Sequence, residues 1–569
     1  MIKTITCSSM RSMDNPERTV DVVVVGAGAA GMTAALAAAH HGLDTVLIEK
    51  DTHFGGSAAR SGGGLWVPGN AVLDAAGVTD TPADAHAYLA HVAGPDVPGD
   101  LRRAFLDAGP EMVAFVLATT PLRLRWVAGY PDYYPEAPGG RPAGRSVEPR
   151  PLDARVLGEH LGDLAAPYLR APAGVALTQT DYRWLNLLAR HPRGVLRAGR
   201  VAARRAYSLL TGRRLLTMGQ ALAAGLRAGL AGADVPLRLD TGLTDLVVAG
   251  GRVTGVRTTR GTVTARAVVL TTGGFEHNER LRKEHQRPPI GTGWTVGSPA
   301  NTGDGIEAGL RAGAAVAVMD DAWWGPSIPL PRGPFFCLAE RSLPGSLLVN
   351  QAGERFVNEA APYVDAVHAM YDGHTDEVGH IPCWLVADQR YRNRYPFAGL
   401  GPRQPFPRRW YDAGVVHRAP TLAGLAGLIG VPADALAGTV DRFNGFAESG
   451  VDTDFQRGRS AYDRYYGDPR NRPNPNLGPV DRPPFHAVAI VPGDLGTKGG
   501  LRTDAAARVL RLDGSAIPGL YAAGNAAAPV MGRSYAGPGA TLGPAMTFGY
   551  LAIRDILKRH PEATPGARR

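Results

Sequence analysis

Cysteine is scarce. Cys7, Cys337 and Cys383 are scattered over 569 residues, too few and too far apart for a disulfide framework or a zinc site; no metal is expected. No apolar run reaches the roughly 18 residues that span a bilayer, so no membrane span is expected either. Met1 to Asn15 is polar and lacks the apolar core of a secretory signal, which with the cysteine usage points to a reducing cytoplasm. Lysine is nearly absent: Lys3, Lys50, Lys283, Lys498 and Lys558 are the only ones among 61 basic residues, so arginine carries the net charge of +9. Beside 73 glycines and 46 prolines, that pattern reflects GC-rich coding. The arginines are dispersed, apart from small groups such as Arg200–Arg214, and no nucleic-acid motif accompanies them. A solvated surface is the expectation, and nucleic acid is not an expected partner. What remains is ordinary globular composition, 44% hydrophobic and 20% charged, with room for two or three domains.

The first ordered element is Val20–Val25, a continuous β-branched run of the kind buried on both faces of a parallel sheet. It meets Gly26-Ala27-Gly28-Ala29-Ala30-Gly31, then an Ala/Leu-rich helix to about His41 that Gly42 stops. A second buried strand, Thr45 to Ile48, ends in Glu49. A lone GxGxxG is weak, but strand, turn, helix and terminal acid together are a dinucleotide fingerprint. Gly26 permits the tight turn, Gly28 lets backbone approach a pyrophosphate, and Gly31 lets helix and strand pack closely. Ala29 and Ala30 open the helix, whose N-terminus suits phosphate, and Glu49 suits ribose hydroxyls.

The following residues favour FAD over NAD. Lys50 leads into Phe54-Gly55-Gly56-Ser57 and then Arg60-Ser61-Gly62-Gly63-Gly64, a second glycine-rich turn suited to an extended cofactor. Far downstream, Gly519 to Asn525, with Gly524, offers another close backbone approach, and Thr541-Leu542 begins a helix whose N–H groups suit negative charge on a flavin. Three short strands are expected at 243–249, 252–258 and 263–272, the last running into Gly273-Gly274-Phe275.

From about residue 286, Pro, aromatic and Arg content rises, with short strands at 346–350 and 384–387 and helices near 422–428 and 433–448. A Pro/Asn-rich stretch, 468–484, marks a return crossing. The expected fold is therefore α/β, with a Rossmann-like FAD-binding domain in two sequence-distant segments, 18–285 and 486–560, and an inserted α+β catalytic domain at 286–485. Residues 136–215 read as an additional loop-and-helix region.

These glycine-rich segments resemble the flavoprotein superfamily of fumarate reductases, succinate dehydrogenases and 3-ketosteroid dehydrogenases, from Asp21 to about Asp555. Members that attach FAD covalently carry histidine in an Arg-Ser-His segment; Gly62 stands there, which implies non-covalent FAD. By the same resemblance Gly274, Asn301 and Asp304, in the run Asn301-Thr302-Gly303-Asp304-Gly305, are cofactor contacts. In soluble fumarate reductases an arginine follows Gly-x-Arg-Phe-x-Asn-Glu. Here Gly353 to Glu359 matches that motif, but Tyr363 occupies the arginine's place, Gly496 replaces a substrate-binding histidine, and Ser534-Tyr535 replaces a second arginine. A dicarboxylate needs cationic partners, so the substitutions imply a neutral, apolar substrate.

The remaining pattern is similar to the 3-ketosteroid Δ1-dehydrogenases: Tyr133 in Pro131-Asp132-Tyr133-Tyr134, Tyr363 in Ala361-Pro362-Tyr363, and Tyr535 in Ser534-Tyr535-Ala536-Gly537-Pro538-Gly539. Ala536 departs from the family's proline. The resemblance implies dehydrogenation of a 3-ketosteroid across C1–C2: Tyr363 removes the C2 proton, Tyr133 assists it, Tyr535 and the Gly539 N–H hold the C3 oxygen, and the C1 hydride passes to the flavin N5. A phenol with an ordinary pKa near 10 needs such help. A steroid and a quinone or other electron acceptor are the implied partners. Other readings are a Δ4-(5α)-dehydrogenase or a dehydrogenase of another bulky cyclic ketone, then a fumarate-reductase-like enzyme, and last a non-catalytic flavoprotein. Tyr134 reads as structural, Trp323-Trp324 and Phe335-Phe336 as pocket or core, and Asp304 and Glu276 as alternative acid–base carboxylates, with Asp304 better explained by a turn or cofactor contact.

Overall fold

The computed structural model describes residues 19–168, 174–188 and 190–560; Cys7 and the polar Met1 to Asn15 lie outside these residues. The valine run forms the strand Val20–Val25. Val22 and Val24 face one apolar cluster and Val23 and Val25 another, so the strand is covered on both sides and needs no polar alternation. It lies between Gly261–Leu270 and Thr45–Ile48, parallel to both, with Val25 in register with Leu270 and Ile48. The sheet runs Arg508–Leu510, Ala516–Ala522, Gly261–Leu270, Val20–Val25, Thr45–Ile48, Leu237–Arg238, and the antiparallel strands Leu243–Ala249 and Arg252–Thr258 extend it from Gly261–Leu270. Ala516–Ala522 pairs parallel with Gly261–Leu270. The helix Ala29–His40 packs on Leu542–Arg559, and small residues on the first helix allow the close approach. The two ends of the chain thus build one nucleotide-binding layer.

A second sheet is antiparallel, in the order Phe335–Phe336, Ala322–Ile328, Phe485–Thr497, Cys383–Ala387, Ser346–Val349, with Val416–Ala419 also paired to Phe485–Thr497. The helices Leu422–Ile429 and Ala433–Ser449 cover it. The expected boundary at 485/486 is not where the chain changes layer. Phe485–Thr497 is the central strand of this second sheet, almost wholly buried. Its far end reaches the first layer, where the Asp494 carboxylate accepts from Thr295 Oγ1 at 2.6 Å and pairs with Arg282 at 2.8 Å.

The 136–215 region also differs from a plain loop-and-helix insert. It holds the strand Ser146–Pro149, which pairs with Leu65–Trp66 and Leu124–Trp126 in a small sheet, before the helices Gln179–Leu185 and Pro192–Thr211. Four residues ending in proline carry too little periodicity to announce a strand.

Candidate active site

One continuous cavity of about 2130 Å³ runs from Gly26, Gly28 and Glu49 past Gly63 and Asn525 to Tyr363 and Phe336. Its first half is a cradle built from backbone. A Cβ on Gly31 would come within 1.9 Å of the Gly26 carbonyl oxygen, so only glycine lets the helix start this close to the strand. The helices Ala29–His40 and Leu542–Arg559 both begin without a side-chain cap, leaving N–H groups for a ligand. The Glu49 carboxylate accepts from Ala27 N at 2.7 Å and Asp51 N at 2.9 Å, which fixes it at the strand end; burial nevertheless raises its pKa. An extended dinucleotide fits these groups.

Of the residues expected to hold the cofactor, Ala29, Ala30, Lys50, Gly56, Ser57, Ser61, Gly62, Asn301, Asp304, Gly524, Asn525, Thr541 and Leu542 line the same cavity. Gly31, Gly55 and Gly274 do not. Gly274 packs on Thr497 instead, and the neighbouring Thr272 and Gly273 form the wall. Lys50 Nζ binds Asp304 at 2.8 Å, which makes Asp304 a structural ion pair rather than an acid–base group. Glu276 lies off the cavity, fully buried, and accepts from Asn301 Nδ2 at 2.6 Å; Asn301 also donates to Ser57 Oγ at 3.1 Å. Burial and then the nearby Asp494 push the Glu276 carboxyl up to about 7. At the second glycine-rich turn, Gln179 Nε2 donates to Gly62 O at 2.9 Å and would lie 3.0 Å from a Cβ placed on Gly62.

The second half of the cavity is aromatic. Tyr133, Tyr363 and Tyr535 converge there from three distant parts of the chain. Tyr133 donates to the Tyr363 hydroxyl at 2.9 Å, and the ring centroids are 5.2 to 5.4 Å apart for all three pairs. Tyr535 shares a 2.7 Å bond with Thr541 Oγ1, at the mouth of the flavin-side helix. Phe336 meets Tyr363 edge-on at 5.2 Å and Trp323 meets Tyr535 at 5.1 Å, while the Trp323 indole donates to Asn525 Oδ1 at 3.0 Å. Trp324 belongs to the core of the second sheet.

Each tyrosine is held by its own support. Asp132 accepts from Trp66 Nε1 at 2.9 Å and from buried Arg145, and the Tyr133 N–H donates to Ala536 O at 3.0 Å. The Ala536 carbonyl also accepts from Tyr88 Oη at 2.6 Å, so hydrogen bonds fix the loop where the expected proline is missing. Tyr363 opens the helix Tyr363–Asp372, whose positive end favours negative charge near its start. The Gly353–Glu359 motif just before it is locked by buried ion pairs: Arg355 with Glu359 and Asp452, both at 2.8 Å, and Arg457 with Glu359 at 3.1 Å. Arg341 donates to Ala361 O at 2.8 Å. Gly539 has φ +96°, and its Cβ would stand 2.4 Å from Gly64, so no other residue fits this turn.

Burial raises the phenols of Tyr133 and Tyr363 well above their ordinary value, and that of Tyr535 less far; the bond from Tyr133 works in the opposite direction at Tyr363. Tyr134 is apart from the trio: its hydroxyl donates to Asp365 Oδ1 at 2.8 Å. An aromatic box that the family motifs do not mark stands behind Tyr133, in which Tyr462 lies 4.7 Å from its ring and Tyr130 shares a 2.9 Å hydroxyl bond with Tyr466. The tyrosine clusters at 130–134 and 462–466 were the available signal.

A family model described as an FAD binding domain matches residues 21–542. The chain is 58% identical over 550 residues to a 3-oxosteroid 1-dehydrogenase of Mycobacterium tuberculosis, covering 94% of this chain and 98% of that one. It is 37% identical to a 4-oxocyclohexanecarboxylate 2-dehydrogenase of Sinomonas cyclohexanicum, over 95% and 93% of the two chains. Among solved structures, a 3-ketosteroid Δ1-dehydrogenase from Sterolibacterium denitrificans in complex with 1,4-androstadiene-3,17-dione superposes with a TM-score of 0.90 at 39% identity, over 95% of this chain and all of that one.

Proposed function

The chain belongs to the 3-oxosteroid 1-dehydrogenase family of FAD-binding-domain proteins, and we propose that it introduces the C1–C2 double bond into a 3-ketosteroid. The observation that carries this is the convergence of Tyr133, Tyr363 and Tyr535 in an apolar half-cavity continuous with the dinucleotide cradle. Tyr535 and the Gly539 N–H bind the C3 oxygen, polarising the ketone and making the C2 proton acidic. Donors aimed at a developing oxyanion are worth about 3–4 kcal/mol of barrier each. Tyr363 takes the C2 proton on its phenol oxygen, and Tyr133 donates to that same oxygen, favouring the phenolate. The rings of Phe336 and Tyr363 present an apolar wall that excludes water from the enolising centre. Bound FAD supplies the two-electron acceptor for the hydride that leaves C1.

FAD is held without a covalent bond, since Gly62 stands where an attachment histidine would be. A quinone or another non-nucleotide acceptor reoxidises it. Two buried, unpaired thiols, Cys337 and Cys383, support a cytoplasmic location. The division into cofactor segments and an inserted catalytic region is supported by the two sheets and the long strand that crosses between them. A second reading, oxidation of a smaller cyclic ketone, is favoured by the 37% identity to the cyclohexane-ketone enzyme. The test is anaerobic flavin bleaching across saturated, Δ4 and Δ1 3-ketosteroids, a simple cyclohexanone and fumarate as reoxidant. Bleaching by Δ4-3-ketosteroids with a Δ1 product supports the proposal. Bleaching by the cyclohexanone alone, or rapid reoxidation by fumarate, overturns it.

A further inference from the structure

Each of the three tyrosines that meet in the cavity has a chain neighbour in a second cluster behind it. The Tyr134 hydroxyl donates to Asp365 Oδ1 at 2.8 Å and accepts from Ser534 Oγ at 3.0 Å. Tyr134 follows Tyr133, Ser534 precedes Tyr535, and Asp365 lies two residues beyond Tyr363 on the helix Tyr363–Asp372. Residues two apart on a helix face different sides, so Tyr363 faces the cavity while Asp365 turns to the cluster. Tyr133, Tyr363 and Tyr535 line the cavity, whereas the half-buried Tyr134, Asp365 and Ser534 stand outside its wall.

The helix is the segment that needs this tie. The other two segments are already stapled to each other: the Tyr133 N–H and Tyr88 Oη both donate to Ala536 O, and the Tyr134 N–H donates to Tyr88 Oη at 3.2 Å. The helix takes no part in those bonds, and Asp365 joins it to them through Tyr134. One turn further along, His368 Nε2 meets the Asp321 carboxylate at 2.9 Å, which fixes the helix from its other side. Burial, and then the Asp365 charge, hold the Tyr134 phenol well above its ordinary value, so it stays a donor. Burial pushes the Asp365 carboxyl up as well, and the Tyr134 bond with nearby His368, Lys498 and Arg341 opposes this.

We propose that Tyr134, Asp365 and Ser534 are positioning residues: they clasp the three segments so that the Tyr363 oxygen is held at once against its donor Tyr133 and beside the α-carbon of a ketone bound at Tyr535. The inference rests on the reading of the trio as the catalytic set.

The experiment uses the flavin-loaded full chain and whichever ketone bleaches the wild type fastest without oxygen, with flavin content and Tm measured for every variant. Tyr134→Phe keeps the ring and removes both bonds. It is expected to lower kcat by about 10²-fold, as a displacement of about 1 Å does, with KM changed little, and to move the rising limb of the pH–kcat profile to higher pH. Ser534→Ala should lose less, and Ser534→Thr, which keeps the hydroxyl, should recover the loss. The decisive readout is coupling. The limb shift caused by Tyr133→Phe should shrink in the Tyr134→Phe background, because donor and base are no longer held together. A Tyr134→Phe variant that bleaches at the parental rate overturns the proposal. So does one that loses Tm while the limb and the effect of Tyr133→Phe stay as they were, since the cluster then only stabilises the fold. If Tyr134→Phe does not load flavin, the serine variants decide: equal rates overturn the proposal, and rescue by threonine supports it. A wild type that no ketone bleaches overturns the functional reading and this inference with it, whereas an active wild type beside an unaffected Tyr134→Phe overturns the inference alone.

Discussion

The phenol oxygen of Tyr133 stands 2.9 Å from that of Tyr363 and donates to it, although 230 residues separate them. The direction of this bond matters. As the proposed base, Tyr363 is helped toward phenolate by this donor and hindered by burial.

Removing the donor should therefore move the pH dependence. Tyr133→Phe deletes the hydrogen bond that lowers the Tyr363 pKa, so the rising limb of the pH–kcat profile should shift to higher pH, with a modest loss at the alkaline plateau. Stopped-flow flavin bleaching across pH reads this directly. An unshifted limb would mean that Tyr133 only packs.

Tyr535→Phe should weaken both binding and rate, because in the proposed mechanism its hydroxyl meets the ketone before and during enolisation. We expect a higher KM and a kcat lower by about 10²-fold. A change in KM alone would reduce Tyr535 to a uniform binding contact.

Acid precipitation of the purified protein should leave yellow FAD in the supernatant. Flavin that stays with the pellet would contradict the non-covalent assignment drawn from Gly62.

Glu359 ties the segment that leads into the helix Tyr363–Asp372 to the core. Its burial alone would raise its pKa, but Arg355 and Arg457 outweigh this and hold it below the ordinary carboxylate range. Its contribution is thus fully present above that range and is lost as pH falls through the lowered folded value. Glu359→Gln leaves buried arginine charge uncompensated and should cost about 3–5 kcal/mol. Thermal unfolding from neutral to acid pH should show a lower Tm for the variant and a shallower acid decline.

The nucleotide layer was legible because its signals are local: a valine strand, a glycine turn and a terminal acid within thirty-odd residues. The strands at 243–270 and the helices at 422–449 were legible for the same reason. The trio's tyrosines were legible as motifs, but their meeting depends on long-range packing that no local period encodes. The boundary expected at 485/486 falls at the start of Phe485–Thr497, a strand of the second sheet, because an apolar run does not say which sheet it joins. Gly274 was misplaced by one residue from the wall, since only the fold decides which glycine of a pair faces the cavity. Composition places Arg200–Arg214 in a solvated surface and does not say that the helix Pro192–Thr211 turns Arg197 and Arg204 inward to Asp181.

Anaerobic single turnover of a Δ4-3-ketosteroid by wild type and Tyr363→Phe, with the product identified, decides whether Tyr363 takes the C2 proton. Rapid bleaching by the wild type with a 1,4-diene product is expected, and bleaching slowed by about 10²–10⁴-fold in the variant at similar substrate affinity and flavin content. A product desaturated elsewhere, or a variant that bleaches at the parental rate, would contradict it.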